Sequence, residues 1–296
     1  MSKLNAYFRL CRPHQYLKNG FIWLPIFFGN ELTSSHALFL TSISFAAFCL
    51  IASASYAIND LKDMDDDRSH PVKKKRPLAS GDLKKNEAAL AALVLFAGGM
   101  VLAMLLLPVA CVYILIAYVL LNIAYSQRLK HLPIVDIFCI AIGFVLRILA
   151  GGMAARIYIS PWIVTMTFLL ALFLALAKRR DDLLLASQGN PVRRAIDGYN
   201  LEFISLAMGI MASVVIVAYL LYTISPEVVA RHGTGKLYIS GIWVLLGLLR
   251  YLQISFVGGK SGSPTRVLIK DRSLQAVIGL WLANLFFLLY WKGEWF

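Results

Sequence analysis

Residues Phe39 to Pro77 read FLTSISFAAFCLIASASYAINDLKDMDDDRSHPVKKKRP. The first half carries no charge and is long enough, at about 1.5 Å per helical residue, to cross a hydrocarbon layer of about 30 Å. It ends in five aspartates within eight residues, Asp60, Asp63, Asp65, Asp66 and Asp67, and then in Lys73, Lys74, Lys75 and Arg76. Carboxylates at the C-terminal end of a helix repel one another and the negative end of the macrodipole. Such an arrangement is unfavourable unless a cation sits among them.

The rest of the chain repeats the first half of this pattern. Of 296 residues, 59% are hydrophobic and 15% charged, against about a quarter charged in soluble domains. Apolar runs predict an all-α membrane bundle of nine helices, near 15–30 (short), 36–62, 86–107, 109–126, 133–154, 160–177, 201–224, 237–257 and 273–292. The basic, amphipathic N-terminus lacks the apolar core and cleavage site of a signal peptide. Cys11, Cys49, Cys111 and Cys139 have no metal-ligand spacing.

Between these spans, 23 of the 29 Lys and Arg fall in the N-terminal segment and in loops 62–85, 127–132, 178–200 and 258–272. By the positive-inside rule this predicts a multi-pass protein of a bacterial-type plasma membrane, N-terminus cytoplasmic and C-terminus outside. The net charge of +13 then reflects topology and contact with anionic membrane lipids rather than nucleic acid. Thirteen of the 16 acidic residues lie on the same side, which the rule does not require. A pore or flippase distributes polar groups across the membrane depth; polar groups gathered at one end predict an active site opening to the cytoplasm. The whole chain, 1–296, reads as one domain, with loops 62–85 and 178–200 capping that site.

On a helix continued through residue 67, Asp60, Asp63 and Asp67 share one face, while Asp65 and Asp66 point away. Hard oxygen ligands without His or Cys suit Mg²⁺, which takes one or two carboxylates and completes its shell with water and phosphate. Beyond them, His70-Pro71 and Arg76-Pro77 stiffen a loop that presents Lys73 and Arg76 to a polyanion. Lys74 and Lys75 read as ordinary loop charges.

Other polar groups gather at the same end. In the N-terminal RPHQYLKN, Arg12, Gln15, Lys18 and Asn19 stand at the entrance to the short first helix, with Gln15 and Asn19 one α-helical turn apart. After the fourth helix come Tyr125 and Lys130. Asp136 and Arg147, 11 residues apart on the fifth helix, are candidates for an ion pair within the bundle, and Arg147 is equally a candidate for a substrate contact. KRRDDL places Lys178, Arg179, Asp181 and Asp182 where the sixth helix is predicted to end, and Asp271 reads as a helix-end residue before the ninth.

NDLKDMDDD resembles the N-D-x-x-D-x-x-x-D signature of the UbiA superfamily of intramembrane prenyltransferases, on Asn59, Asp60, Asp63 and Asp67. YSQRLK resembles that superfamily's Tyr/Lys motif on Tyr125 and Lys130. RPHQYLKN, the extended aspartate motif through RPLASG, GFVLRILAGG, KRRDDL and KDRSLQ together resemble the superfamily's polyprenyl-phosphate phosphoribosyltransferase branch. KRRDDL stands where aromatic prenyltransferases carry a second D-x-x-x-D.

The resemblance implies a Mg²⁺-dependent enzyme that moves a phosphoribosyl group from 5-phosphoribosyl 1-diphosphate (PRPP) to a polyprenyl phosphate lipid. Diphosphate leaves, and the product is a precursor for cell-envelope glycan. It implies Asp60, Asp63 and Asp67 as catalytic metal ligands, with Asn59 orienting. Lys73, Arg76 and Lys178 would hold PRPP, and Arg12 and Lys18 the lipid phosphate. Gln15, Asn19, Tyr125, Lys130, Arg179 and Asp182 complete the expected substrate contacts. Further copies of the chain are candidate partners. The competing readings are an aromatic prenyltransferase of the same superfamily and a transporter or flippase.

Overall fold

The computed structural model describes residues 2–69, 73–187, 198–258 and 264–290. His70 and Pro71, residues 188–197 of loop 178–200, 259–263 of loop 258–272, and the terminal tryptophans Trp291 and Trp295 lie outside the described residues. Among the described residues every regular element is a helix. The α-helices are α1 (Lys3–Cys11), α2 (Leu24–Phe28), α3 (Ser35–Lys62), α4 (Met64–Ser69), α5 (Lys85–Leu106), α6 (Val109–Gln127) and α7 (Val135–Ala155). They continue with α8 (Pro161–Ser187), α9 (Leu201–Ile224), α10 (Pro226–His232), α11 (Gly241–Phe256), α12 (Pro264–Lys270) and α13 (Arg272–Tyr290).

Among the described residues eight helices are long and apolar enough to cross a membrane: α3, α5, α6, α7, α8, α9, α11 with the 3₁₀ turn before it, and α13. They match eight of the nine expected spans, and the protein is an all-α, multi-pass membrane bundle. The expected short helix over 15–30 is instead an eleven-residue 3₁₀ segment, Pro13–Trp23, running into the single turn of α2. The sixth span also differs, because α8 runs through KRRDDLLLA to Ser187 rather than stopping near residue 177. Lys, Arg, Leu and Ala are good helix formers, and no Gly or Pro interrupts them.

The chain divides into two compact units, Met1–Lys130 with Gly143–Ile159, and His131–Ile142 with Ser160–Phe296. In the first, α3 is the central element. Its Ala47, Phe48, Ile51 and Ala52 pack with Met100, Ala103, Leu115 and Tyr118 of α5 and α6. Small residues permit this closeness, as membrane helices require where dispersion replaces the hydrophobic effect. A Cβ on Gly99 would lie 2.8 Å from the Ile51 side chain. Ser34 starts α3 by accepting a hydrogen bond from Ala37 N–H. Pro108 divides α5 from α6, and the residue before it, Leu107, is accordingly extended. Outward residues of these helices, including Leu93, Leu105, Val109 and Leu120, are exposed and apolar, as a lipid-facing surface demands.

The second unit is built on α8, α9, α11 and α13. Asn200 caps α9 by accepting from Phe203 N–H at 2.7 Å. Tyr219 of α9 bonds Ser240 at 2.7 Å and accepts from the Trp281 indole of α13 at 3.0 Å. Asp271 caps α13 by accepting from Leu274 N–H at 2.8 Å, and it holds Arg250 of α11 at 2.7 Å.

Candidate active site

Helix α3 does not continue unbroken through the aspartates. It stops at Lys62, Asp63 forms a one-residue bend, and α4 resumes at Met64. The backbone bonds Asp63 N–H to Asn59 and Asp67 N–H to Asp63, both at 2.9 Å, so the bend keeps helical phase. Asp60 and Asp67, seven residues and nearly two turns apart, therefore point the same way. Both are buried, at 2% exposure each. They converge on one atom, since Arg76 Nη1 donates to Asp60 Oδ1 at 3.0 Å and to Asp67 Oδ2 at 2.5 Å. Arg12 also donates to Asp60 Oδ1, and Lys73 lies 3.9 Å from Asp67. Asp65 and Asp66 are exposed, and Asp65 pairs with Arg68 on its own helix at 3.1 Å.

Arg76 is aimed by more than the prolines. Leu78 and Leu83 are buried against Ala6, Leu10, Ala57, Met64 and Ala88, which pins the loop to α1, α3, α4 and α5. Arg9 of α1 bonds the Lys75 carbonyl and lies 3.4 Å from Asp82. Sequence reasoning passed over Arg9, Leu78 and Leu83, although two leucines in a charged loop mark an anchor.

Arg12 closes α1 in the left-handed conformation, φ 52°, a position glycine usually takes. Its guanidinium lies 5.2 Å from the centre of the Tyr56 ring. The turn leads into the 3₁₀ segment, where residues three apart are eclipsed. Tyr16, Asn19 and Ile22 consequently share one edge and dock. Tyr16 bonds Ser53 at 2.8 Å, Asn19 donates to Cys49 Sγ at 3.1 Å, and Ile22 is fully buried. Arg12, Gln15 and Lys18 share another edge. The sequence reading grouped Gln15 with Asn19 by α-helical spacing; 3₁₀ geometry separates them.

Asp63 stands apart from the Arg76 pair and accepts from Lys130 at 3.1 Å. Tyr125 lies half-buried on α6. Asn59 faces the groove between α3 and α6, where Lys62, Asn122, Ser126, Ile58 and Val119 help line an open cavity of about 210 Å³. Lys62 crosses it to the Ser126 carbonyl at 3.0 Å.

Among the described residues Arg147 has no carboxylate partner. Its guanidinium donates to Asn19 Oδ1 at 2.8 Å, to Gly143 O at 2.7 Å and to the Tyr118 hydroxyl at 3.2 Å. Phe48, Tyr118 and Phe144 present their rings at 4.9, 5.0 and 5.4 Å. The candidate pairing with Asp136 does not form, because each residue finds its partners inside its own unit.

In the second unit, Asp136 accepts from Arg179 Nε and, at 2.7 Å, from the Tyr199 hydroxyl. Arg179 also donates to Asp182 at 2.7 Å. The Tyr199 oxygen accepts in turn from Ile134 N–H. Burial raises the Tyr199 pKa, and its bond to the Asp136 carboxylate raises it further. Lys178 is half-buried on α8 beside this cluster.

Among the described residues no three His, Cys, Asp or Glu side chains stand together as a metal-ligand set. The pair Asp60 and Asp67 nonetheless fits Mg²⁺ in kind. Both donors are carboxylate oxygens, two such ligands suffice, and Asp60 Oδ2 is buried without a hydrogen-bond partner among the described residues.

Similarity to known proteins agrees with this geometry. Residues 21–268 match the model of the UbiA prenyltransferase family. The chain is 29% identical over 285 residues to a decaprenyl-phosphate phosphoribosyltransferase of Mycolicibacterium smegmatis, covering 93% of this chain and 89% of that one. It is 32% identical over 280 residues to the Corynebacterium glutamicum protein of the same name, covering 92% and 82%. A solved structure of a UbiA homolog from Archaeoglobus fulgidus, bound to GPP and Mg²⁺, shares the fold at a TM-score of 0.69 and 21% identity, covering 96% of this chain and 99% of that one. By matched length, signature residues and fold, this chain belongs to the UbiA prenyltransferase family.

Proposed function

We propose that this protein is a polyprenyl-phosphate phosphoribosyltransferase that draws PRPP from the cytoplasm and polyprenyl phosphate from the bilayer. The observation that carries the reading is the convergence of Asp60 and Asp67 on Arg76, flanked by Arg12 and Lys73. A diphosphate with its metal needs carboxylates and cations together, and a second and third phosphate need more cations than carboxylates. The similarity to two decaprenyl-phosphate phosphoribosyltransferases over most of the chain supports the same choice.

In the proposed reaction a phosphate oxygen of the lipid forms a bond to ribose C1, and the bond from C1 to the diphosphate oxygen breaks. Asp60 and Asp67, with Asp63 one turn away, are the residues to hold Mg²⁺, which when bound neutralises charge on the diphosphate. Arg76 exchanges part of its carboxylate contact for phosphate oxygens, for which its planar fork is suited. Lys73 adds a mobile charge at the same place. The lipid phosphate is already ionised, so no general base is required. Carboxylates fixed near C1 stabilise the positive charge that develops there as diphosphate departs. Asn59 and the groove it lines would orient the reacting groups.

The test is to incubate purified protein with radiolabelled PRPP, Mg²⁺ and a polyprenyl phosphate and to extract the lipid phase. Label in that phase, dependent on both substrates, is the expected result. Detergent-stable protein that leaves the lipid unlabelled, or that transfers a prenyl group to an aromatic acceptor instead, overturns the proposal.

A further inference from the structure

The 3₁₀ segment meets α3 through a series of polar contacts that run antiparallel to it. Arg12 reaches Asp60 and the Tyr56 ring, Tyr16 bonds Ser53, and Asn19 donates to Cys49 Sγ. Asp60, Tyr56, Ser53 and Cys49 recur at helical spacing and so form one stripe of α3. From Cys49 to Asp60 that stripe rises about 16 Å. The chain from Arg12 to Asn19 rises about 14 Å as 3₁₀ helix and about 10 Å as α-helix. The 3₁₀ form matches the stripe more closely, and it ties the place of Arg12 to the place of Asn19.

Arg147 of α7 fastens the Asn19 end of the series. Its Nε donates to Asn19 Oδ1 at 2.8 Å, while its other nitrogens hold Gly143 O on its own helix and the Tyr118 hydroxyl on α6. With Oδ1 taken, the Asn19 amide turns its Nδ2 to Cys49. Arg147 is 4% exposed and Asn19 fully buried. A charged donor makes a stronger bond than a neutral one, and the three acceptors and three aromatic rings offset part of the cost of burying it. On the next 3₁₀ turn the Ile22 carbonyl lies against Gly151, in space that a Cβ would need. Arg147 and Gly151 are one turn apart, so a single face of α7 grips the segment twice.

We infer that Arg147 is a positioning residue of the active site and not a substrate contact: by fixing Asn19 it sets the register of the 3₁₀ segment on α3, and so places Arg12 on Asp60. Its hydrogen bonds reach three elements and its guanidinium is ringed by Phe48, Tyr118 and Phe144, so its charge is spent on holding protein to protein. The clamp itself is independent of which substrate binds; its effect on transfer rests on the proposed function.

Two native thiols report the clamp without substrate or turnover. Cys49 is buried against Asn19, and Cys111 is buried on α6 with its thiol on the Ala150 carbonyl. Full-length protein in detergent is treated with N-ethylmaleimide, and the labelling rate of each cysteine is followed by mass spectrometry. Arg147→Met should label Cys49 about tenfold faster or more, the loss of one charge-assisted hydrogen bond, and leave Cys111 unchanged. Arg147→Lys, which keeps the charge and loses the fork, carries the same expectation should Arg147→Met not fold. Asn19→Asp keeps an acceptor for Arg147 without the donor to Cys49, and should keep Cys49 protected. The link to the site is read from a double-mutant cycle, in which the loss of lipid labelling caused by Arg147→Met largely disappears in an Arg12→Met background. Unchanged Cys49 labelling overturns the clamp, and equal acceleration of Cys49 and Cys111 overturns it in favour of general packing. Lower transfer with Cys49 still protected would make Arg147 a substrate contact, and additive losses with Arg12→Met would break the link to Asp60; either result overturns the inference. If wild-type protein transfers no label, the transferase reading falls and the Cys49 rates alone decide the clamp.

Discussion

The Arg179 guanidinium and the Asp136 carboxylate are hydrogen-bonded to each other with both side chains closed to solvent, at 1% and 0% exposure. Nothing in their spacing of 43 residues announces the pair. Removing one partner strands a buried charge, which typically costs about 3–5 kcal/mol. Asp136→Asn and Arg179→Met should therefore lower thermal stability in detergent sharply. Asp182→Asn, whose side chain is 23% exposed, should cost about 1 kcal/mol or less. Equal shifts for Asp136 and Asp182 would show that the buried bond is not the main restraint.

The aspartate cluster separates into two functional classes. Asp60→Asn and Asp67→Asn remove carboxylates shared by Arg76, and each should lower transfer activity by about 100-fold or more, as loss of a preorganised electrostatic group does. Asp65→Asn and Asp66→Asn, on exposed side chains, should leave activity near wild type and stability within about 0.5 kcal/mol. Initial rates of lipid labelling at saturating substrate decide the matter, and a large loss from Asp65→Asn would sink this division.

Gly151→Ala tests the seating of the 3₁₀ segment. Its new Cβ would meet the Ile22 backbone at 2.0 Å from O and 2.8 Å from C, and backbone cannot rotate aside as a side chain can. Overpacking of this kind costs about 1–3 kcal/mol. The expected outcome is a lower melting temperature. Gly98→Ala, whose nearest neighbour would be a Leu50 methyl at 3.9 Å, is the matched control and should be near neutral.

Asp271 gives a pH dependence of known sign. Its hydrogen bond from Arg250 holds the carboxyl below the ordinary aspartate value. A depressed folded pKa adds stability that is complete above the unfolded value, about 3.9, and is lost as pH falls through the folded value. The pair is partly solvated, so the effect is small. Asp271→Asn should lower the neutral plateau of a stability–pH profile slightly and flatten its acid limb, the two proteins converging in acid. An unchanged acid limb would remove Asp271 from the groups that shape it.

Much of the site was legible before any fold was known. Seven residues bring a helix face back nearly to its starting direction, so Asp60 and Asp67 point together wherever helical phase is kept, and the hydrogen bonds across Asp63 keep it. Asp65 and Asp66 had to point away for the same reason. The proline beside Arg76 was visible too, but the proline alone does not aim the guanidinium; buried Leu78 and Leu83 and the contact with Arg9 do, and those are long-range.

The sequence by itself determined the membrane class, eight of the spans, the gathering of charge at their ends and the residues of the aspartate motif. Each of these follows from local quantities: run length, charge count and helical phase. Tertiary structure alone decided that residues 13–23 wind as a 3₁₀ segment, which turns Asn19 inward and leaves Lys18 with Arg12. It alone decided that Asp136 belongs to Arg179 and Tyr199 while Arg147 holds Asn19 among three aromatic rings. Those outcomes depend on which surfaces pack, and a buried charge takes whatever partner the packed surface brings within hydrogen-bond reach, at any separation along the chain.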